Sequence, residues 1–197
     1  MNIGALSERA KTQTHEYRTH DPDNTIAAIA PHGGAIEAAT AKQAFHVAAS
    51  VEACSAWAYC GYTTDSETGA FEQFHRSSTT ISEDEFDLSS KLRAAGFDHI
   101  ISFHGFDPEG AVEVYLGGQI ERSLKQRVAK HIQNQTGLYA KVAEPNDGLY
   151  EMYGGHKDEN ITNRWSHHGG LQIEQTAHAR QTHGEAICEA IIDIFRN

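Results

Sequence analysis

Short apolar runs alternate along this chain with segments whose apolar positions recur every three or four residues. The short runs predict buried strands at 25–30, 55–60, 99–103, 112–116 and 138–142. Helical spacing predicts helices after Thr40, from 82 to 96, from 119 to 137 and over 186–194. Strands that alternate with helices indicate an α/β fold. We expect a single-domain three-layer sandwich, in which helices cover both faces of a mixed, mostly parallel sheet.

One further strand has a strictly alternating pattern. In the segment 171–176, Leu171 and Ile173 point to one face, whereas Gln172, Glu174 and Thr176 point to the other. The apolar pair predicts packing on the core. Glu174 is therefore either a solvated side chain on an edge strand or an acid directed into a pocket.

The chain has no repeat, linker or low-complexity tract that would divide its 197 residues. We predict an irregular arm over residues 1–23 and one domain over 24–197. No apolar run reaches the roughly 18 residues of a membrane span, and no export signal is visible at the start. We therefore expect a soluble protein without membrane insertion, and the sequence leaves its location open.

Two histidines and a glutamate follow predicted strands and could bind one metal ion. His32 and Glu37 stand at the two ends of a turn with Gly33 and Gly34, and His104 follows the strand at 99–103. In open α/β sheets, functional groups collect beyond the carboxyl ends of the strands. Two imidazoles and one carboxylate are the ligands of hydrolytic zinc sites, which keep a position for water. The alternative is that these are surface histidines, since the chain has 13 of them.

If Glu174 is directed at such a site, it is the natural general base for an attacking water. Arg164 and Arg180 flank its strand in the sequence. Guanidinium groups bind carboxylates through paired hydrogen bonds, so the two arginines could hold an acidic substrate. The alternative is that both are solvated or paired with surface acids.

The composition limits the classes of molecule that the protein is expected to bind. A net charge of −11 disfavours nucleic acid, which requires a basic face. The acidic excess fits a halophilic protein or an ordinary acidic one. The three cysteines, Cys54, Cys60 and Cys188, predict buried free thiols, with a Cys54–Cys60 bridge as the alternative.

Five motifs together resemble the poly-γ-glutamate hydrolase family of bacteriophages and prokaryotes. They are PHGGAIE at 31–37, SFHGF at 102–106, YLGGQ at 115–119, NITNR at 160–164 and GLQIEQTAHAR at 170–180. The resemblance covers about residues 24 to 196. It implies a reduced zinc carboxypeptidase-like fold, one Zn2+ and hydrolysis of amide bonds that are formed through a side-chain carboxylate.

The resemblance also implies roles for particular residues. His32, Glu37 and His104 correspond to the metal ligands, and Glu174 corresponds to the catalytic acid and base. The positions that match substrate-binding residues of the family are Asn163, Arg164 and Arg180, and His75 matches a segment that borders the active cleft.

The sequence therefore predicts a zinc-dependent hydrolase of γ-glutamyl bonds. Its expected partner is an anionic γ-linked glutamate polymer or a related peptide, and its expected setting is phage degradation of a capsule or surface polymer. Release on host lysis and attachment to a virion are both compatible with this setting. Two alternatives stay open: a zinc amidohydrolase acting on small N-acyl amino acids, and a non-catalytic virion component that only binds polymer.

Overall fold

Seven strands form one sheet in the computed structural model, which describes residues 13–63, 67–86 and 96–196. The strands are β1 (Gln13–Thr19), β2 (Ile26–Gly34), β3 (Cys54–Tyr62), β4 (His99–Gly105), β5 (Val114–Gly117), β6 (Ala140–Val142) and β7 (Leu171–Gln175). Their order across the sheet is β1-β3-β2-β4-β7-β5-β6. Pairing is parallel throughout the centre, whereas β1 is antiparallel to β3 and β5 is antiparallel to β7.

The described helices are α1 (Thr40–Ser50), α2 (Glu67–Phe74), α3 (Arg122–Thr136), α4 (Tyr150–Tyr153), α5 (Ile161–Arg164), α6 (Ala177–Thr182) and α7 (Gly184–Phe195). The long helices α1, α3 and α7 pack on one face of the sheet, where their apolar stripes join the strands in the larger core cluster. Trp57, Phe97 and Trp165 belong to a second cluster on the other face, together with Ile161 of the short helix α5. The predicted α/β sandwich with a mixed, mostly parallel sheet is confirmed.

The start of the described chain differs from our expectation. We predicted an irregular arm over 1–23, but residues 13–19 form β1 and pair along their whole length with β3. Most side chains of β1 are exposed because it is an edge strand, so it lacks the apolar pattern that would reveal it. The domain boundary at residue 24 stays a prediction, and residues 1–12 lie outside the described part.

Two predicted helix starts also differ. Thr40 does not cap α1: the N-cap is Ala39, and the Thr40 hydroxyl instead donates to the Glu37 carbonyl at 2.8 Å. The helix predicted for 82–96 falls mostly outside the described residues. Only a 3-10 turn at Glu83–Glu85 is described there.

Two absences hold for the described residues. None of their helices is long and apolar enough to cross a bilayer. The three cysteines are buried free thiols, as predicted, and no bridge joins Cys54 to Cys60.

A bulge in β2 changes which way His32 points. The register of β2 against β3 shifts between Ala30 and Gly33. Strict alternation would put His32 on the same face as Ala28 and Ala30, in the core beneath α1. The extra residue reverses the alternation, so His32 lies beside His104 on the opposite face.

Candidate active site

The candidate site lies where β2 and β4 end. The chain leaves β2 towards β3 on one side, and β4 pairs with β2 on the other, so the carboxyl ends of β2 and β4 border a topological switch point. A crevice is expected at this position in α/β sheets. The structure has a cleft of about 800 Å³ here, and His32, Glu37, His104 and Glu174 all line it.

The three predicted metal ligands converge. His32 Nδ1 lies 3.1 Å from Glu37 Oε1 and 3.2 Å from His104 Nδ1. His104 Nδ1 lies 3.8 Å from Glu37 Oε2. In a tetrahedral zinc site with bonds of about 2.0–2.1 Å, ligand atoms are about 3.3 Å apart. The spacing of these atoms therefore fits a zinc ion bound between them.

The other ring nitrogens of both histidines are held by protein atoms. His32 Nε2 donates to the carbonyl oxygen of Arg76 at 2.6 Å, and His104 Nε2 lies 2.7 Å from Ser102 Oγ. A carbonyl only accepts, so the N–H of neutral His32 is at Nε2 and the Nδ1 lone pair faces the other ligands. Such outer contacts fix the tautomer and the orientation of metal-binding imidazoles.

The turn after β2 brings Glu37 back to the site. Gly34 has φ of 71°, in the left-handed region that glycine adopts without strain. The Glu37 N–H donates to the His32 carbonyl at 2.8 Å, which closes the turn. The Gly105 N–H donates to Glu37 Oε2 at 2.8 Å, so the carboxylate is fixed by β4 as well.

Electrostatics in this group reflect burial and mutual contact. Burial disfavours the charge on His32, but the Glu37 carboxylate outweighs it and raises the His32 pKa. Burial also opposes the charge on Glu37, while His32 and His104 hold its pKa below the usual value. For His104, burial lowers the pKa to about 3, so this imidazole is neutral and able to bind a cation.

His75 is a further possible metal ligand. Its Nε2 lies 3.8 Å from Glu37 Oε1, and its ring centroid lies 4.2 Å from that of His32. Ligand atoms of His32, Glu37 and His75 lie within 4.8 Å of one another, which also defines a possible His-Glu-His site. We favour His104 over His75 as the second imidazole, because His104 is buried, whereas the His75 side chain is 30% exposed.

Glu174 lies next to this group through strand pairing. It is the direct neighbour of His104 in the β4–β7 register, on the face predicted from the alternation. β7 is a central strand, so Glu174 is buried and the solvated-edge alternative does not apply. Burial and then Glu37 raise its pKa well above the usual value, whereas a Gln172 hydrogen bond and Arg180 oppose the rise.

The predicted substrate-binding residues separate into two groups. Arg180 lines the cleft, and its Nε and Nη1 donate to the carbonyl oxygens of Ala38 and Gln175 at 2.9 and 3.1 Å. Asn163 and Arg164 are not brought to the cleft wall.

Asn163 and Arg164 make structural contacts instead. Asn163 is buried, and its amide bonds the backbone of Gln119, Gly155 and Lys157. Arg164 ends the short helix α5, and its guanidinium donates to the Ile81 carbonyl at 2.7 Å. Both were predicted from the family resemblance, and Arg164 also from its position before the Glu174 strand, but local chain geometry directs their side chains elsewhere.

Other cleft residues were not predicted. Gln172 shares the face of Glu174, and its Nε2 donates to Glu174 Oε1 at 2.8 Å. The alternation in 171–176 could have identified Gln172. His156 and Lys157 also line the cleft, and no pattern in the sequence distinguishes them from surface residues.

The fold and the site define a protein of the α/β class with a candidate metal centre formed by imidazole and carboxylate groups. The family model of poly-gamma-glutamate hydrolase matches residues 1–187. The chain therefore belongs to the poly-γ-glutamate hydrolase family, and it is an enzyme of that family.

Solved structures show the same fold. The chain is similar to a bacteriophage poly-gamma-glutamate hydrolase, with a TM-score of 0.69 and 20% identity, over 98% of this chain and 93% of that one. It is also similar to YNDL in a zinc-free form, with a TM-score of 0.72 and 19% identity, over 99% of this chain and 96% of that one. No curated protein shows significant sequence similarity to the chain.

Proposed function

We propose that this protein is a zinc-dependent hydrolase that cleaves γ-glutamyl amide bonds of poly-γ-glutamate. The observation that carries the proposal is the convergence of His32 Nδ1, His104 Nδ1 and the Glu37 carboxylate beside the buried Glu174. The family membership supports the substrate class, and the spacing of the ligand atoms supports the metal.

His32, Glu37 and His104 would hold the zinc ion. A bound zinc ion supplies Lewis-acid activation of water and of the amide carbonyl. Glu174 accepts the proton of the attacking water and then donates it to the leaving nitrogen. Burial of Glu174 suits this task, because it raises the pKa well above the usual value and so makes the protonated form easier to reach in the second step.

Arg180 would bind the free carboxylate beside the scissile bond. Its guanidinium is anchored by two backbone carbonyls and lies against Gly105, at the end of β4. A buried, positioned arginine favours a substrate with an acidic group near the reacting amide. This is the chemistry of a γ-linked glutamate, in which each residue keeps a free α-carboxylate.

The test combines metal content with cleavage. We expect the purified protein to contain zinc, to lose cleavage of γ-linked polyglutamate on chelation and to regain it when zinc is added. E174Q keeps the size and the acceptor oxygen of the side chain, so it should bind zinc as the wild type does. A general base typically increases the rate about 10²–10⁴-fold, so the kcat of E174Q should fall at least about 100-fold. Full activity of E174Q would contradict the assignment.

Two comparisons separate the alternatives. Faster turnover of small N-acylglutamates than of polymer would favour an amidohydrolase of small substrates. Binding of polymer without any cleavage by the zinc-loaded protein would favour a non-catalytic polymer-binding component. Phage origin, attachment to a virion, release on lysis and action on a capsule stay predictions.

A further inference from the structure

The cleft wall contains a turn, Gly155 to Lys157, that takes no part in the chemistry proposed above. The carbonyl oxygens of this turn are bound by the body of the protein. Asn163 Nδ2 donates to the carbonyls of Gly155 and Lys157, both at 2.8 Å. Gln119 Nε2 donates to the carbonyl of His156 at 2.9 Å. The acceptors of the turn are thus used by side chains that do not line the cleft.

The donors of the turn are not used in this way. Among the described residues, the N–H groups of Gly155 and His156 donate to no protein acceptor, and Lys157 forms no ion pair. His156 Nε2 lies 3.9 Å from the exposed Glu151 carboxylate, whereas His156 Nδ1 is buried and lacks a partner within the described chain. A wall segment whose backbone acceptors are satisfied and whose backbone donors are not is suited to bind an anion.

The backbone conformation supports the same conclusion. Gly154 is right-handed with φ of −68°, and Gly155 follows with φ of 57°. A right-handed residue followed by a left-handed one directs successive N–H groups to one side, which forms an anion-binding concavity. The Gly154 N–H already donates to the Tyr150 carbonyl at 2.8 Å, so the N–H groups left for an anion are those of Gly155 and His156. A Cβ on Gly155 would lie 2.5 Å from Gln172 Oε1, so only glycine fits here.

The distribution of charge in the cleft also favours this turn as a place to bind an anion. In the described lining of the cleft, the permanently charged cations are Lys157 and Arg180, whereas the carboxylates are Glu37, Asp107, Glu151 and Glu174. The protein as a whole carries a net charge of −11. An anionic chain entering the cleft therefore meets favourable charge at these two places.

We propose that the turn Gly155–Lys157 is a second carboxylate-binding subsite, which takes an α-carboxylate of a glutamate residue beyond the one bound by Arg180. The inference rests on the proposed function, since γ-linked polyglutamate carries one free carboxylate per residue. The subsite makes the enzyme prefer a polymer over a single γ-glutamyl unit.

The first experiment compares K157M with K130M. Lys130 is an exposed residue of α3, on the other side of the sheet, so K130M removes the same charge away from the cleft. For long polymer, K157M should raise KM about three- to tenfold, as expected for a charge-assisted contact at an exposed position. K130M should change KM less than about twofold, because distant exposed charges are screened. Equal effects of the two variants would overturn the inference.

Chain length and salt give a second readout. The effect of K157M should be larger for long polymer than for a γ-glutamyl dimer, and at about 1 M salt, where the screening length falls to about 3 Å, it should shrink. A change in KM that is the same for dimer and polymer, or that persists at high salt, would show a structural role and would contradict the subsite.

Binding to the inactive variant separates this inference from the proposed function. Titration of zinc-loaded E174Q with an oligomer of γ-linked glutamate should give tighter binding than titration of E174Q/K157M. If the wild type cleaves polymer but K157M leaves KM and oligomer binding unchanged, only the subsite is wrong. If the wild type does not cleave but K157M still weakens oligomer binding, only the hydrolase function is wrong.

Discussion

Gln172 is expected to set the ionisation of Glu174. The Gln172 amide is buried; its Nε2 donates to Glu174 Oε1 at 2.8 Å, and its Oε1 accepts from Asn160 Nδ2 at 2.8 Å. This chain of hydrogen bonds fixes the Glu174 carboxylate in the cleft. The donated hydrogen bond stabilises the ionised carboxylate and so opposes the rise in the Glu174 pKa that burial causes.

The perturbation is Q172M, which keeps the side-chain length and removes the amide. A hydrogen bond to a charged group is worth about 1.5–3 kcal/mol, so its loss destabilises ionised Glu174 relative to the protonated form by a similar amount. A free-energy difference of about 1.4 kcal/mol changes an equilibrium constant tenfold. At a fixed pH below the Glu174 pKa, the ionised fraction of Glu174 therefore falls about tenfold or more in Q172M. Because the pKa rises, the acid limb of the kcat profile moves to higher pH.

Q175M is the matched control. Gln175 lies on the same strand, is equally buried and exchanges hydrogen bonds with Gln43 at 2.7 and 3.0 Å on the opposite face of the sheet. Each variant leaves buried polar groups without partners, at about 1–3 kcal/mol per group, so both should lower the unfolding free energy. Only Q172M should move the acid limb.

The assay is kcat for polymer cleavage as a function of pH, with thermal unfolding measured for each variant. An acid limb that stays in place in Q172M would refute the reasoning. The same would follow if Q175M moved it equally, because the shift would then come from general destabilisation.

Two further predictions concern stability and thiol chemistry. In G34A, alanine must adopt the left-handed φ of 71°, and its Cβ would lie 2.7 Å from the Gly61 carbonyl oxygen. We expect the free energy of unfolding to fall by at least about 1–2 kcal/mol and zinc binding to weaken. G148A, where a Cβ meets nothing within 4 Å, should change the melting temperature little; equal melting temperatures would contradict the argument. Burial raises the pKa of Cys54 and Cys188 to about 12 and of Cys60 to about 11, so native protein near pH 8 should react slowly with a thiol reagent. Unfolding should expose three thiols that react rapidly with the reagent. Rapid labelling of the native protein would contradict the prediction, because it would show that the thiols are accessible.

Local sequence patterns were sufficient to predict the central strands and the long helices. They also identified the side chains at the ends of the central strands. His104 lies directly after an apolar run. Glu174 alternates with Leu171 and Ile173, so the two-residue period of a strand predicts that Glu174 points to the face opposite these two apolar residues. Because a parallel sheet brings the carboxyl ends of its strands to one edge, the meeting of these side chains could be expected from order alone.

Tertiary structure decided what local periodicity does not encode. The β2 bulge turns His32 towards His104, and pairing with β3 orders residues 13–19 as β1, because each depends on a neighbouring strand distant in sequence. Asn163 was expected in the cleft but bonds the backbone of the Gly155–Lys157 turn. The sequence by itself therefore predicted the hydrolase family, and most of the site residues that it predicted line the cleft. Only the packed chain decided which donors face the cleft, because hydrogen-bond partners far apart in sequence leave no periodic signal.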